Sequence, residues 1–241
     1  MNRSNFPIDK HGEAVVSQFL KENYFDWLVS SGQIRSFRFC DDFQSQRSGT
    51  DLVITNNDGS EFAVDLKAAL TYINRPSMDT FAFEVDYKNR GVLKTGWLLD
   101  SCVITDVLAL CWLKGKYLQD SLGRTVTTGY SYIRAMEKDD LTEATVISIR
   151  KLDLLSALLD AGLTPDVMRA HSAFMRENGL KEMRISPDMK LYLSGHLAEE
   201  PCNVVVSRRK LLEICQSAYT VTRNGTKPLI PEKGGKENDH R

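Results

Sequence analysis

Asp51 and Asp65 lie 14 residues apart, and Lys67 follows two positions after the second acid. Two carboxylates brought together in a half-buried site repel one another, and a hard divalent cation relieves that repulsion. Mg²⁺ suits one or two carboxylates, with water and substrate phosphate oxygens completing its shell. A lysine beside them could orient a water, lower its pKa or stabilise a pentacovalent phosphate. The chemistry open to this trio is metal-assisted hydrolysis of a phosphate ester. The bland alternative is a solvated strand edge or a cross-strand ion pair.

Whether the trio can meet depends on the elements that carry it. Asp51-Leu52-Val53-Ile54-Thr55 and Glu61-Phe62-Ala63-Val64-Asp65-Leu66-Lys67 read as the two strands of a hairpin. The Asp58-Gly59 pair between them supplies the positive φ of a tight reversal. In the second strand Phe62, Val64 and Leu66 alternate with Ala63, Asp65 and Lys67, so Asp65 and Lys67 share a face. Asp51 and that pair fall at the open end of the hairpin, where diverging strands form a cleft.

The flanking pattern extends the frame. Residues 9–29 read as an amphipathic helix capped by Asp9, with Val15, Val16, Phe19, Leu20, Tyr24, Trp27 and Leu28 at helical spacing and Gly32 as the stop. Ile34, Phe37 and Phe39 suggest a short strand, and residues 80–85 another. The apolar run over residues 105–113 reads as a buried central strand, and residues 118–140 as loops or a peripheral hairpin. Residues 145–150 form a strand, with helices expected over 152–161 and from Thr164-Pro165 onward. Asn203–Val206 is a late strand whose following helix is capped by Ser207. The order implies an α/β domain over residues 1–221, with a polar, disordered tail over 222–241.

Asp51, a hairpin, and then Asp65-x-Lys67 in an apolar strand resembles the PD-(D/E)XK nuclease superfamily of restriction endonucleases, junction resolvases and phage recombination exonucleases. The motifs cover residues 9–113, and a fold-level fit runs to about 216. The resemblance implies a restriction-endonuclease-like core: a central mixed sheet with an antiparallel meander, flanked by helices. It also implies that Asp51, Asp65 and the backbone carbonyl of Leu66 hold Mg²⁺ or Mn²⁺ while Lys67 positions the attacking water. Glu13 matches the helix acid that helps hold metal or water in many members. Gln46, in the approach Gln46-Arg47-Ser48-Gly49-Thr50 that looks like phage- and mobile-element-like members, is a further candidate. Thr50 replaces the proline of the family name, which performs no chemistry, and Asp65 replaces the more frequent Glu. The implied activity is a DNA endonuclease. The alternative is a catalytically silent nuclease-like module that binds nucleic acid or protein. A homodimer would set two centres opposite one another for double-strand cutting.

Other residues carry less. Glu84, between Phe83 and Val85, is a buried-carboxylate candidate near the cleft. His11 could act as a base, though the site does not require one; His171 and His196 stand without metal-ligand spacing. Lys88-Asn89-Arg90 and Arg208-Arg209-Lys210 could touch phosphates, although short charge runs are usually solvated.

Composition sets bounds on these readings. With 31 basic and 32 acidic side chains the chain is nearly neutral, which argues against a surface coated in phosphate-binding residues. The five cysteines include no C-x-x-C pair, and with no Cys/His cluster an all-oxygen metal site is expected over a zinc site. No window reaches the roughly 18 apolar residues of a membrane helix, and the opening residues hold no apolar signal segment. A cytoplasmic location is expected.

Overall fold

A computed structural model describes residues 6–40, 48–195 and 197–229. Helix α1 (Phe6–Leu20) continues through one π-helical turn (Lys21–Phe25) into α2 (Asp26–Ser30). The expected cap at Asp9 is corrected: the helix begins three residues earlier, and Asp9 sits inside its first turn. Its negative charge there still meets the positive end of the helix dipole. The π turn adds a residue to the helical repeat. It brings Phe25 into the core beside Tyr24, a burial that strict 3.6-residue spacing does not anticipate. Gly32, at φ +72°, lets the chain leave the helix.

The strands are β1 (Ser36–Phe39), β2 (Leu52–Thr55), β3 (Glu61–Ala68), β4 (Thr80–Asn89) and β5 (Val92–Thr95). They continue as β6 (Val107–Gly115), β7 (Leu118–Gln119), β8 (Thr125–Val126), β9 (Leu141–Arg150) and β10 (Glu182–Arg184). The last are β11 (Met189–Leu193), β12 (Cys202–Ser207), β13 (Ser217–Thr222) and β14 (Gly225–Pro228). The molecule is mixed α/β. A central seven-stranded sheet has the order β1-β2-β3-β6-β9-β13-β14, and a second, antiparallel sheet the order β10-β11-β12-β4-β5. In the first, β1, β2 and β3 form the expected antiparallel meander, turned at Gly59 (φ +87°). Strand β6 then pairs with β3 in parallel and with β9 antiparallel, which makes the sheet mixed.

The central sheet is covered on both faces. Val16, Phe19 and Leu20 of α1 pack on one face against Leu52, Val64, Ala109 and Val146. On the other, Leu108, Leu110, Ile147 and Ile149 pack against Phe81, Phe83 and Val204 of the second sheet and against Leu154, Leu158, Met168 and Met175. The last four come from the helices Lys151–Asp160 and Pro165–Glu177. Strand β6 is therefore buried on both sides, which is why its sequence is an unbroken apolar run rather than an alternating one. Each such Leu or Ile contributes roughly 1.5–3 kcal/mol by leaving water. Thr164 and Ser207 cap the helices that follow them, accepting from Val167 N at 3.2 Å and Lys210 N at 3.1 Å.

The strand expected over residues 80–85 is β4, which lies in the second sheet beside β12. Two further expectations are corrected, those for residues 118–140 and for the tail. Residues 118–140 hold the small hairpin β7–β8 but also the helix Gly129–Ala135, whose Tyr132 and Ile133, with Met136 beyond its end, are fully buried. Seven helical residues are too few to display a period. The tail expected from residue 222 begins instead with a reversal into β14, which pairs with β13 and buries Thr226, whose hydroxyl donates to Asn23 O at 2.8 Å. Residues 230–241 lie outside the described residues.

Candidate active site

Strand β2 stops at Leu52, opposite Val64, whereas β3 runs on to Ala68. Along residues 65–68 the β2 side of the strand is therefore an open edge among the described residues. Asp51 fills part of it. Its main-chain N–H donates to Val64 O at 2.9 Å, and its carboxylate Oδ2 accepts from Leu66 N at 2.7 Å. The side chain thus replaces the strand partner that β2 no longer supplies. The N–H and C=O of one residue in an extended strand point to the same side. The Leu66 carbonyl consequently faces the same open edge as the Asp51 carboxylate.

Asp65 and Lys67 stand in parallel register with Leu108 and Leu110, on the face turned toward the second sheet. Asp65 is only 1% exposed, and Lys67 Nζ lies 2.9 Å from its Oδ1. The Asp51 carboxyl is a near neighbour of Asp65. Burial pushes Asp65 up to about 6, a rise that Lys67 opposes and the neighbouring Asp51 charge reinforces. Burial by itself would lower the Lys67 pKa, but Asp65, then Asp51 and Glu13, outweigh it and hold the ammonium above its ordinary range. The Nζ also lies 5.2 Å from the centroid of the Trp97 ring. The result is two neighbouring carboxyls, one main-chain carbonyl beside them, and a fixed cation.

A cleft of about 590 Å³ opens between this edge and α1, lined by Lys10, Glu13, Ser17, Asp51, Leu66 and Lys67 among others. Glu13 faces Asp51 and Lys67 across it. Burial raises its pKa, and the Lys67 charge is the strongest influence pulling it back. Among the described residues no three His, Cys, Asp or Glu side chains converge tightly enough to form a metal cage by themselves. Two carboxylates and a carbonyl nevertheless suit Mg²⁺ or Mn²⁺, whose remaining positions go to water and phosphate. The donor set is all oxygen, which disfavours zinc.

The remaining sequence candidates separate clearly. Glu84 accepts from the backbone of Trp97 and does not line this cleft; burial, then Glu199, pushes its carboxyl up to about 7. His11 Nε2 is bonded to Met136 O at 2.9 Å and ties α1 to its neighbour. His171 lies on the helix Pro165–Glu177, away from the cleft. Gln46 and His196 lie outside the described residues. In the second basic run, Arg208 lies over the Trp112 ring and donates to Thr145, Arg209 pairs with Asp188, and Lys210 pairs with Glu213. Two residues were not anticipated. Trp97 braces Lys67 through its ring. Lys151, 9% exposed, donates to Val103 O at 3.2 Å within the field of Asp65, and burial lowers its pKa. Nothing local in sequence marks either, because both reach the site through the tertiary fold.

No family model matches this chain, and no curated protein matches it in sequence. Among solved structures it is similar to the restriction endonuclease BglI bound to its DNA recognition sequence. That likeness has a TM-score of 0.30 and 13% identity, over 90% of this chain and 86% of the other. At that level it carries no argument about activity.

Proposed function

We propose that this chain is a divalent-metal-dependent nuclease that hydrolyses phosphodiester bonds, with DNA as substrate. The observation that carries the reading is the Asp51 carboxylate held on Leu66 N at the open edge of β3, beside Asp65 with Lys67 2.9 Å from it. Asp51, Asp65 and the Leu66 carbonyl would hold Mg²⁺ or Mn²⁺. The bound cation supplies positive charge opposite the phosphate, which favours the transition state electrostatically. Lys67 donates N–H to the attacking water or to a non-bridging phosphate oxygen, and its pairing with Asp65 fixes where that N–H points. Glu13, on the opposite wall, offers a carboxylate that can orient the same water. The apolar packing beneath β3 holds Asp65 and Lys67 in one position, so little reorganisation is needed during reaction.

A second reading is favoured by one observation: among the described residues no group of three His, Cys, Asp or Glu side chains forms a metal cage. In that case the fold binds nucleic acid without cutting it. One assay separates the two. Linear, circular, single-stranded and branched DNA are incubated with the protein in EDTA, and then with Mg²⁺ or Mn²⁺ restored. Cleavage that stops with chelator and returns with metal supports the nuclease. Binding without cleavage under every condition supports the silent module, and cleavage undiminished in excess chelator sinks the metal mechanism.

A further inference from the structure

Strands β4 and β5 outrun the sheet they belong to. The β12 pairing ends at Asp86, yet β4 continues to Asn89 and returns as β5, so that residues 87–94 form a two-stranded ribbon beyond the sheet. All four β5 residues are exposed, including Val92 (56%) and Leu93 (52%). The ribbon is rooted at the candidate centre: Gly96 N donates to Val85 O at 2.8 Å, and the adjacent Trp97 carries its ring against Lys67. A Cβ on Gly96 would lie 2.5 Å from Glu84 O, so the glycine permits this close crossing at the root.

The tip has an unusual residue. The turn runs Asn89-Arg90-Gly91-Val92, with φ +50° at Arg90 and +81° at Gly91. That is the two-residue hairpin turn whose first central position favours Asn, Asp or Gly. An arginine there adopts a backbone conformation that a long side chain disfavours, and such strain tends to accompany function. Arg90 and Lys94 have no ion-pair partner among the described residues, whereas Lys88 is held by Glu200 at 2.7 Å. The acids Glu199 and Glu200 flank the β4 side, so the β5 side carries the unneutralised positive charge.

We infer that this ribbon docks into a groove of double-stranded DNA and makes duplex the substrate of the neighbouring centre. The inference rests on the nuclease reading for its location, not for its test. A two-stranded β ribbon fits the major groove. Arg90 and Lys94 then meet phosphates, and Val92 and Leu93 lie against sugar and thymine methyl groups. A free exposed edge strand would otherwise invite pairing with another chain, and the two flanking cations disfavour that.

The test measures binding in EDTA, where no metal-dependent cleavage intervenes, of duplex and single-stranded oligonucleotides of the same sequence. Wild type is compared with Arg90→Ala/Lys94→Ala across a salt series. The inference expects the variant to lose roughly tenfold or more in duplex affinity. It also expects the slope of log K against log salt to fall by about 2, from two lost phosphate contacts. Single-strand affinity should change much less. Unchanged duplex binding, or equal loss on both substrates, overturns the inference. So does a concentration-dependent dimer in sedimentation that Val92→Ser/Leu93→Ser abolishes, because the ribbon would then be a contact between copies. If wild type binds duplex through the ribbon but cuts nothing with metal present, the nuclease reading fails while this inference stands.

Discussion

Asp65 and Lys67 are two residues apart in a strand, but their roles differ, and substitution should separate them. Asp51→Asn or Asp65→Asn removes one ligand charge, so metal affinity and cleavage should fall together. In the absence of metal, Asp51→Asn relieves the repulsion between the neighbouring carboxyls and should cost no stability, whereas Asp65→Asn also leaves Lys67 without its partner and should cost some. Lys67→Ala leaves both acids in place. A metal-dependent rise in melting temperature should survive it, while the cleavage rate falls roughly a hundredfold or more. Melting curves with and without Mg²⁺, run beside a cleavage assay, check all three variants. Metal-independent melting in every protein, with a loss of only about 1 kcal/mol or less per substitution, would reduce the trio to an ordinary ion pair.

Two elements are held at a spacing that a single methyl group would disturb. The root of the β4–β5 ribbon depends on Gly96, where a Cβ would meet main-chain atoms of Glu84 that cannot rotate away. Gly96→Ala should destabilise the protein by roughly 1–3 kcal/mol, the usual cost of overpacking. It should also shift Trp97 and loosen Lys67, so cleavage should drop further than stability alone explains. Thermal melting together with rates measured well below the transition distinguishes the two effects. A variant with wild-type melting and wild-type rate would show that the crossing tolerates movement. Gly115 is the second tight position, because a Cβ there would meet the hydroxyl of Tyr132, which donates to Lys116 O at 2.9 Å. This contact locks the buried helix Gly129–Ala135 against the end of β6.

At the scale of the whole molecule, Glu84 gives stability a pH dependence. Burial and Glu199 hold its carboxyl protonated up to about 7, against an ordinary value of 4.5. Folded protein therefore binds more protons than unfolded protein between those values. The contribution is fully present below about pH 4.5 and is lost as pH rises through about 7. Glu84→Gln should raise the melting temperature relative to wild type at pH 8 and leave it nearly equal at pH 4.5; equal differences at both would remove Glu84 as the cause. Much of the architecture was legible in the chain alone. The hairpin and the shared face of Asp65 and Lys67 follow from period-two alternation and one Asp-Gly turn, both local properties, whereas the meander was implied by the family resemblance. The long helix and the caps at Thr164 and Ser207 were likewise local. Other features were not. Strand β4 has the same alternation whichever sheet it joins, and the choice between sheets is made by which apolar faces are left to cover. The helix Gly129–Ala135 and strand β14 are too short to show a period, and long-range contacts stabilise them. The separate placing of Glu84, and the bracing of Lys67 by Trp97, depend on how the second sheet packs on the first. Local pattern determines which way a side chain points from its own strand, but only tertiary packing decides what it meets there.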